Sequence, residues 1–326
     1  MKNLVWFRND LRLHDNPALS QACAKADQVV GIYIVTFKQW EEHNDSPNKI
    51  AFWFRSLIEL QKDLHKLNIP LCILKCDTYD DCPQKILEFA SANEINNLYF
   101  NIEYPVNELK RDEQVQAVLE KMGTSCFSFH DQVIHVPGTL KTKAGTNFSV
   151  YSPFKRCWLA ELDYALLEEH AIPTIKQPVS VNQQDEYDLH SYKQSNINQD
   201  LWPVGEESIQ KMIVNFLDRK GSDYKTDRNF PGLTATSMMS PYINSGVVSS
   251  KWCLNQARAR NYDALDEGDK GLVHWISEIL WREFYRHIIY NFPRVSMGKA
   301  FQEHFEQVPW ENNQDFIEAW KHGRTG

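Results

Sequence analysis

Between His274 and His287 the chain reads His-Trp-Ile-Ser-Glu-Ile-Leu-Trp-Arg-Glu-Phe-Tyr-Arg-His. At helical spacing Trp275, Glu278, Arg282 and Tyr285 share a stripe with Trp281 at its border, while Leu272, Ile276, Ile279 and Leu280 supply apolar packing elsewhere. Flat aromatics mixed with opposite charges can wall a cavity on which a planar polar ligand stacks, oriented by a carboxylate and a guanidinium. The same residues also suit a surface helix whose Glu278 and Arg282 make an ordinary i,i+4 pair.

A second group is Thr236-Ser237-Met238-Met239-Ser240-Pro241. Its last Ser can cap a helix with Pro at the first position, and a helix start lined with hydroxyls and backbone N–H groups can hold a phosphate or hold nothing. In Tyr224-Lys225-Thr226-Asp227-Arg228 an aromatic and a base four residues apart could grip a ligand or a nucleic-acid backbone, or simply end a helix. Near the N-terminus, Trp6-Phe7-Arg8-Asn9-Asp10-Leu11-Arg12-Leu13-His14-Asp15-Asn16 places two Arg and two Asp within eight residues, which suits a buried salt-bridge loop.

These groups must be positioned by two kinds of architecture. Up to about residue 130, short apolar runs (Leu4 to Phe7, Val29 to Val35, Leu71 to Leu74, Leu98 to Phe100, Cys126 to Phe129) alternate with amphipathic stretches (Lys49 to Leu67, Gln84 to Ala92, Asn107 to Met122), which predicts a parallel sheet covered by helices on both faces. No G-x-G-x-x-G follows the first strand, so the dinucleotide fingerprint is absent and a nicotinamide dehydrogenase is disfavoured. A polar stretch from Gln177 to Asp200 reads as an interdomain connection. Beyond it Glu206 to Arg219, Ser250 to Arg260, Leu272 to Tyr290 and Asn313 to Lys321 carry helical spacing.

The 326 residues suffice for two domains, and 42% hydrophobic with 24% charged residues excludes disordered, collagen-like and coiled-coil classes. No apolar run is long enough to span a membrane or serve as a signal peptide, so a cytoplasmic protein is expected. The seven cysteines include no C-x-x-C pair and no zinc-like spacing, and are read as reduced thiols with no metal site. A net charge of -8 argues against indiscriminate nucleic-acid binding, yet residues 221–300 lean basic, with ten Lys and Arg against eight Asp and Glu. Six of the ten tryptophans fall after residue 200, for packing or for π-stacking.

Taken in order, W-F-R-x-D-L-R-L-x-D-N, T-S-x-x-S-P and W-x-x-E-x-x-W-R-E-F-Y-R-H make the chain resemble the photolyase/cryptochrome flavoproteins, nearest the bacterial class I cyclobutane pyrimidine dimer photolyases. The resemblance implies a Rossmann-like α/β antenna domain without the glycine fingerprint (1–135), an interdomain connection (136–200), and an all-α FAD-binding domain whose first part is 201–326. It implies FAD held by Tyr224, Thr236, Ser237, Met238, Met239 and Ser240, with Trp275, Glu278 and Arg282 in the same pocket. Trp281 would stack on a flipped-out pyrimidine dimer, Glu278 would bond its base edge, and Arg228 and Tyr285 would contact the DNA. Trp310 matches the outermost member of the aromatic relay that reduces the flavin, packing being the alternative.

The reaction so implied is a light-driven lyase step by which a monomeric enzyme repairs DNA containing pyrimidine dimers. A methenyltetrahydrofolate antenna is implied at His43, Asn107 and Glu108, although Met297 stands where relatives can carry a Lys, with Lys299 two residues on. Family members run further, and Gly323-Arg324-Thr325-Gly326 resembles the start of a continuing motif, so an incomplete helical domain is expected. A blue-light photoreceptor that binds FAD without repair, an inactive fragment and a flavin-free nucleotide-binding protein remain alternatives.

Overall fold

The computed structural model describes residues 1–182, 186–193 and 195–325. Gln183, Gln184, Asp185 and Gln194 of the expected connection, and Gly326 of the terminal motif, lie outside the described residues. The first part alternates β1 (Lys2–Phe7), α1 (Pro17–Lys25), β2 (Gln28–Thr36), α2 (Phe37–Glu42), α3 (Pro47–Lys66), β3 (Leu71–Cys76), α4 (Cys82–Ala92), β4 (Asn97–Asn101), α5 (Val106–Lys121) and β5 (Ser125–Phe129). The five strands are all parallel in the order β3-β2-β1-β4-β5. This is the expected doubly wound sheet, and it explains the continuous apolar runs, because both faces are covered. Along β1, Leu4 and Trp6 enter one core while Val5 and Phe7 enter the other. Helix starts follow local chemistry: Asn16 accepts from Leu19 N at the head of α1, and Ser46 accepts from Lys49 N at the head of α3, each followed by Pro.

The second part is helical: α6 (Tyr151–Ala160), α7 (Glu206–Lys220), α8 (Tyr224–Asp227), α9 (Ser240–Asn244), α10 (Ser250–Arg260), α11 (Lys270–Asn291) and α12 (Gln314–Lys321). The core holding Val5 and Phe7 continues without a break to Tyr242, Trp275 and Phe284. Residues 176–182 of the expected connection are tied to the α/β part. Lys176 N and Gln177 N donate to Leu67 O and Asp27 O, and Asn182 N donates to Asn93 Oδ1, so this segment runs along it. Among the described residues no helix is long and apolar enough to cross a membrane.

The acid-base segment after β1 fastens the two parts together. Arg12, 1% exposed, pairs with Asp131 and donates to Gly246 O at 3.1 Å, while Asp15 pairs with Lys251 at 2.9 Å and accepts from Ser249. Glu206, the first residue of α7, accepts from Leu13 N at 2.8 Å and His14 N at 3.2 Å. Gly246 permits the approach: a Cβ there would lie 2.1 Å from Asn9 O, and its φ of 70° is left-handed.

Candidate functional site

A cavity of about 1090 Å³ opens between α11, the loop 236–241 and the N-terminal half of α3. Helix α11 starts at Asp269, whose side chain accepts from Gly271 N and Leu272 N. Gly271 lets that start press on the end of α7, since a Cβ there would lie 2.2 Å from Gly221 O. So anchored, the helix presents Trp275, Glu278, Arg282 and Tyr285 to the cavity, as their spacing predicts. Tyr224, Thr236, Ser237, Met238, Met239 and Ser240 line it too.

Trp275 is 1% exposed, and its Nε1 donates to Ser237 Oγ at 3.3 Å, tying the helix to the hydroxyl loop. Met238 sits in that loop at φ 53°, a left-handed conformation uncommon outside glycine. Ser240 is not a helix cap as its sequence suggests: α9 begins with Ser240 itself, and Met239 occupies the cap position. Arg282 donates to Gln132 O at 2.7 Å. Burial, and after it the like charge of neighbouring Arg286, lowers the Arg282 pKa to about 9.

Glu278 pairs with Arg228 and has His274 Nε2 at 3.7 Å. The Arg228 guanidinium also stands 5.3 Å from the centre of the Tyr224 ring. The motif residues of α8 and α11 thus meet, although 50 residues separate Arg228 from Glu278. Trp281 is half-buried and does not belong to the cavity lining; its ring stacks on Tyr151 and has the Tyr285 ring beside it, centroids 5.7 Å apart. Trp310 is 77% exposed and likewise outside the lining. Sequence reasoning missed Phe52 and Trp53 of α3, Trp202 just before α7, and Arg286, all of which line the cavity.

The residues expected to hold an antenna lie beyond the carboxyl edge of the sheet. His43 caps the end of α2, and Asn107 and Glu108 occupy the first turn of α5. Burial raises the Glu108 pKa, with Glu103 adding to it, while Arg111 and His43 pull it back, so His43 lies within electrostatic reach. Val106 N donates to Ser296 Oγ at 3.2 Å, which places the turn carrying Met297 beside this group.

The donor set suits FAD. The cavity has the volume of a cofactor site, with a flat wall at Trp275, hydroxyls at Thr236, Ser237 and Ser240, and guanidinium charge at Arg282 and Arg286 for phosphates. Residues 3–177 match the DNA photolyase family and residues 275–326 match the FAD binding domain of DNA photolyase. The chain is 35% identical over 330 residues to the deoxyribodipyrimidine photo-lyase of Buchnera aphidicola subsp. Acyrthosiphon pisum (strain APS), covering 100% of this chain and 67% of that protein. It is 33% identical over 325 residues to that of Escherichia coli (strain K12), covering 99% and 68%. Among solved structures, a bacterial class III photolyase from Agrobacterium tumefaciens superposes with a TM-score of 0.83 at 25% identity, covering 99% of this chain and 65% of that one. The Synechocystis sp. PCC6803 cryptochrome, at 20% identity and a TM-score of 0.85, shares the fold, covering 100% and 69%. The chain therefore spans about two thirds of the length of these relatives. Sequence agreement over nearly all of the chain, in the sheet and in the helical part alike, means that it belongs to the DNA photolyase family.

Proposed function

We infer that this chain acts in light-dependent DNA repair as a deoxyribodipyrimidine photo-lyase, a flavoprotein that splits cyclobutane pyrimidine dimers. One observation carries the reading: a single cavity gathers Trp275, Glu278, Arg282 and Tyr285 of α11 with the hydroxyl loop 236–241 and with Phe52 and Trp53 of α3, three segments far apart in the sequence. In this reading residues 1–135 are the antenna-binding α/β domain, 136–200 the connection and 201–326 the helical FAD-binding part. Bound, reduced FAD supplies, on absorbing light, the electron that opens the cyclobutane ring and that then returns.

The protein's share is holding and orienting. Tyr224 and residues Thr236 to Ser240 hold the phosphates and ribitol, with Trp275 fixing Ser237 by its indole N–H. Arg282 and Arg286 supply positive charge on the cavity wall. Glu278, kept in place by Arg228, accepts a hydrogen bond from the lesion's base edge and so fixes the ring to be opened. Trp281 offers the stacking face for the flipped lesion, Tyr285 extends it, and Arg228 meets the DNA backbone. A damaged pair is flipped more cheaply than an intact one, so selectivity begins with the lesion. Trp310, exposed at the surface, serves as the outer member of the reducing relay.

The same reading gives His43, Asn107 and Glu108 to a methenyltetrahydrofolate antenna, and treats the protein as a cytoplasmic monomer. The test is repair of dimer-containing oligonucleotides by the protein with reduced FAD. Intact pyrimidines should reappear only under illumination; repair in darkness, or none in light, would sink the reading.

A further inference from the structure

Cys76 is the last residue of β3 and Cys82 the first of α4, and their sulfurs lie 3.6 Å apart. Both thiols point at the carbonyl of Thr78, at 3.4 Å from Cys76 and 3.7 Å from Cys82. The five residues between them are held in one shape: Asp81 Oδ2 accepts from Thr78 N at 2.8 Å and Thr78 Oγ1 at 2.9 Å, closing a capping box around a single turn. The two sulfurs are thus kept together by the fold, and a disulfide requires them to close from 3.6 Å to about 2 Å.

We propose that Cys76 and Cys82 form a peroxide-sensitive dithiol, converted by a hydroperoxide into a disulfide that staples the end of β3 to the first turn of α4. Three features support it besides the distance. Cys82 stands at the positive end of an eleven-residue helix, and its pKa is lowered by the hydrogen bond from Cys76 and, further, by Arg111, against the opposing effects of burial, Asp112 and Asp81. It borders a small cavity of about 40 Å³ shared with Arg111, Glu103 and Tyr79, which has room for a molecule of peroxide size. Cys76 is the proton-holding partner, its pKa raised by the bond to Cys82 and by burial, so Cys82 is the thiol that ionises; Cys23 and Cys72, pushed up by burial to about 11 and about 12, have no such neighbour among the described residues.

The chemistry balances. The Cys82 thiolate attacks one peroxide oxygen, the O–O bond breaks, and the departing hydroxide takes up the proton released from the pair, leaving Cys82 as the sulfenic acid. The Cys76 sulfur then attacks the Cys82 sulfur, and the second hydroxide leaves with the Cys76 proton. Two thiols are oxidised by two electrons in all, and one peroxide becomes two waters. The product fixes the segment that carries Tyr79, whose ring lies 4.6 Å from the Arg111 guanidinium.

Trypsin releases both cysteines in one peptide, residues 76–85, because Lys75 precedes it and Lys85 ends it. The full chain is treated with hydrogen peroxide, unfolded, alkylated with N-ethylmaleimide and digested. Most of this peptide should come back two hydrogens lighter and unalkylated, regaining two alkylation sites after dithiothreitol, while Cys23, Cys72 and Cys253 stay alkylated. In Cys76→Ser the sulfenic acid should persist and be trapped by dimedone at Cys82. Recovery of the peptide with both cysteines alkylated, a bond from either cysteine to a third one, or dimedone on a residue other than Cys82, would overturn the proposal. The wild-type peptide decides the matter even if the variant does not fold.

Discussion

The Trp281 indole lies face to face with the Tyr151 phenol, with ring centroids 3.7 Å apart and planes tilted by 14°. The phenol oxygen is itself fixed by Ser277, at 2.6 Å from its Oγ and 3.0 Å from its backbone carbonyl. The stacking residue assigned to the lesion is therefore held from behind by α6, an element outside the recognisable motifs.

Loss of one stacked base costs about 1 to 3 kcal/mol. Trp281→Ala should accordingly weaken affinity for dimer-containing DNA by roughly tenfold or more, with flavin content unchanged. Tyr151→Phe keeps the ring and should bind nearly as wild type, whereas Tyr151→Ala should fall partway to Trp281→Ala. Fluorescence-anisotropy titrations with damaged oligonucleotides measure this; equal affinity in all variants would remove Trp281 from lesion binding.

Arg228 pairs with Glu278 in the absence of DNA, so the two should be energetically coupled. Arg228→Ala should lower affinity for damaged and undamaged DNA alike and flatten the salt dependence. Glu278→Gln should chiefly reduce repair per bound lesion. A double-mutant cycle read by repair yield should be non-additive, and strict additivity would show that the pair does no work together.

Glu283 gives a pH dependence of definite sign. Its carboxylate is buried in α11 and accepts from Ile134 N at 3.0 Å, His135 N at 2.9 Å and Trp158 Nε1 at 2.8 Å, yet burial outweighs these bonds and raises its pKa to about 7 from 4.5. The folded state then binds the proton more tightly than the unfolded state, so this group's stabilising contribution is complete below pH 4.5 and is lost as pH rises through about 7. The full span amounts to about 3 kcal/mol. Denaturant melts of wild type minus Glu283→Gln should show a difference that shrinks as pH rises across this window and is flat above it.

The antenna group is tested at Met297. Met297→Lys places a cation in the turn that abuts the first turn of α5, near half-buried Glu108. Folate binding, followed by near-ultraviolet absorption after reconstitution, should strengthen by several-fold, and His43→Ala should weaken it. No folate signal in any form would leave His43, Asn107 and Glu108 as surface residues.

Much of this was legible in the chain because the signals are local. The strands β1 and β2 read correctly from runs such as Val-Val-Gly-Ile-Tyr-Ile-Val, since burial on both faces leaves no place for polar residues. The stripe on α11 was legible because helical spacing alone puts Trp275, Glu278 and Arg282 together. Helix α6 escaped, being short and carrying Pro153 near its start, and with it went the partners of Trp281 and Glu283. Phe52, Trp53 and Trp202 escaped for another reason: nothing near them marks a cavity whose other wall lies on α11, and only the closed fold brings those walls together. The Cys76 and Cys82 pair read as ordinary reduced thiols because six residues of separation say nothing about a turn that folds them back on each other.

The clamp around Arg12 also sets an order of events during synthesis. The carbonyl that Arg12 meets belongs to Gly246, 234 residues later, and at about 5 to 20 residues per second the ribosome delivers it roughly 10 to 50 s after Arg12 itself. For that interval the nascent sheet carries Arg12 and Asp15 without their distal partners Gly246, Ser249 and Lys251, on a surface that the finished protein hides. Charge beside the apolar residues Leu11 and Leu13 keeps that part of the half-made chain hydrated while it waits, and ties final closure of the molecule to the arrival of α10.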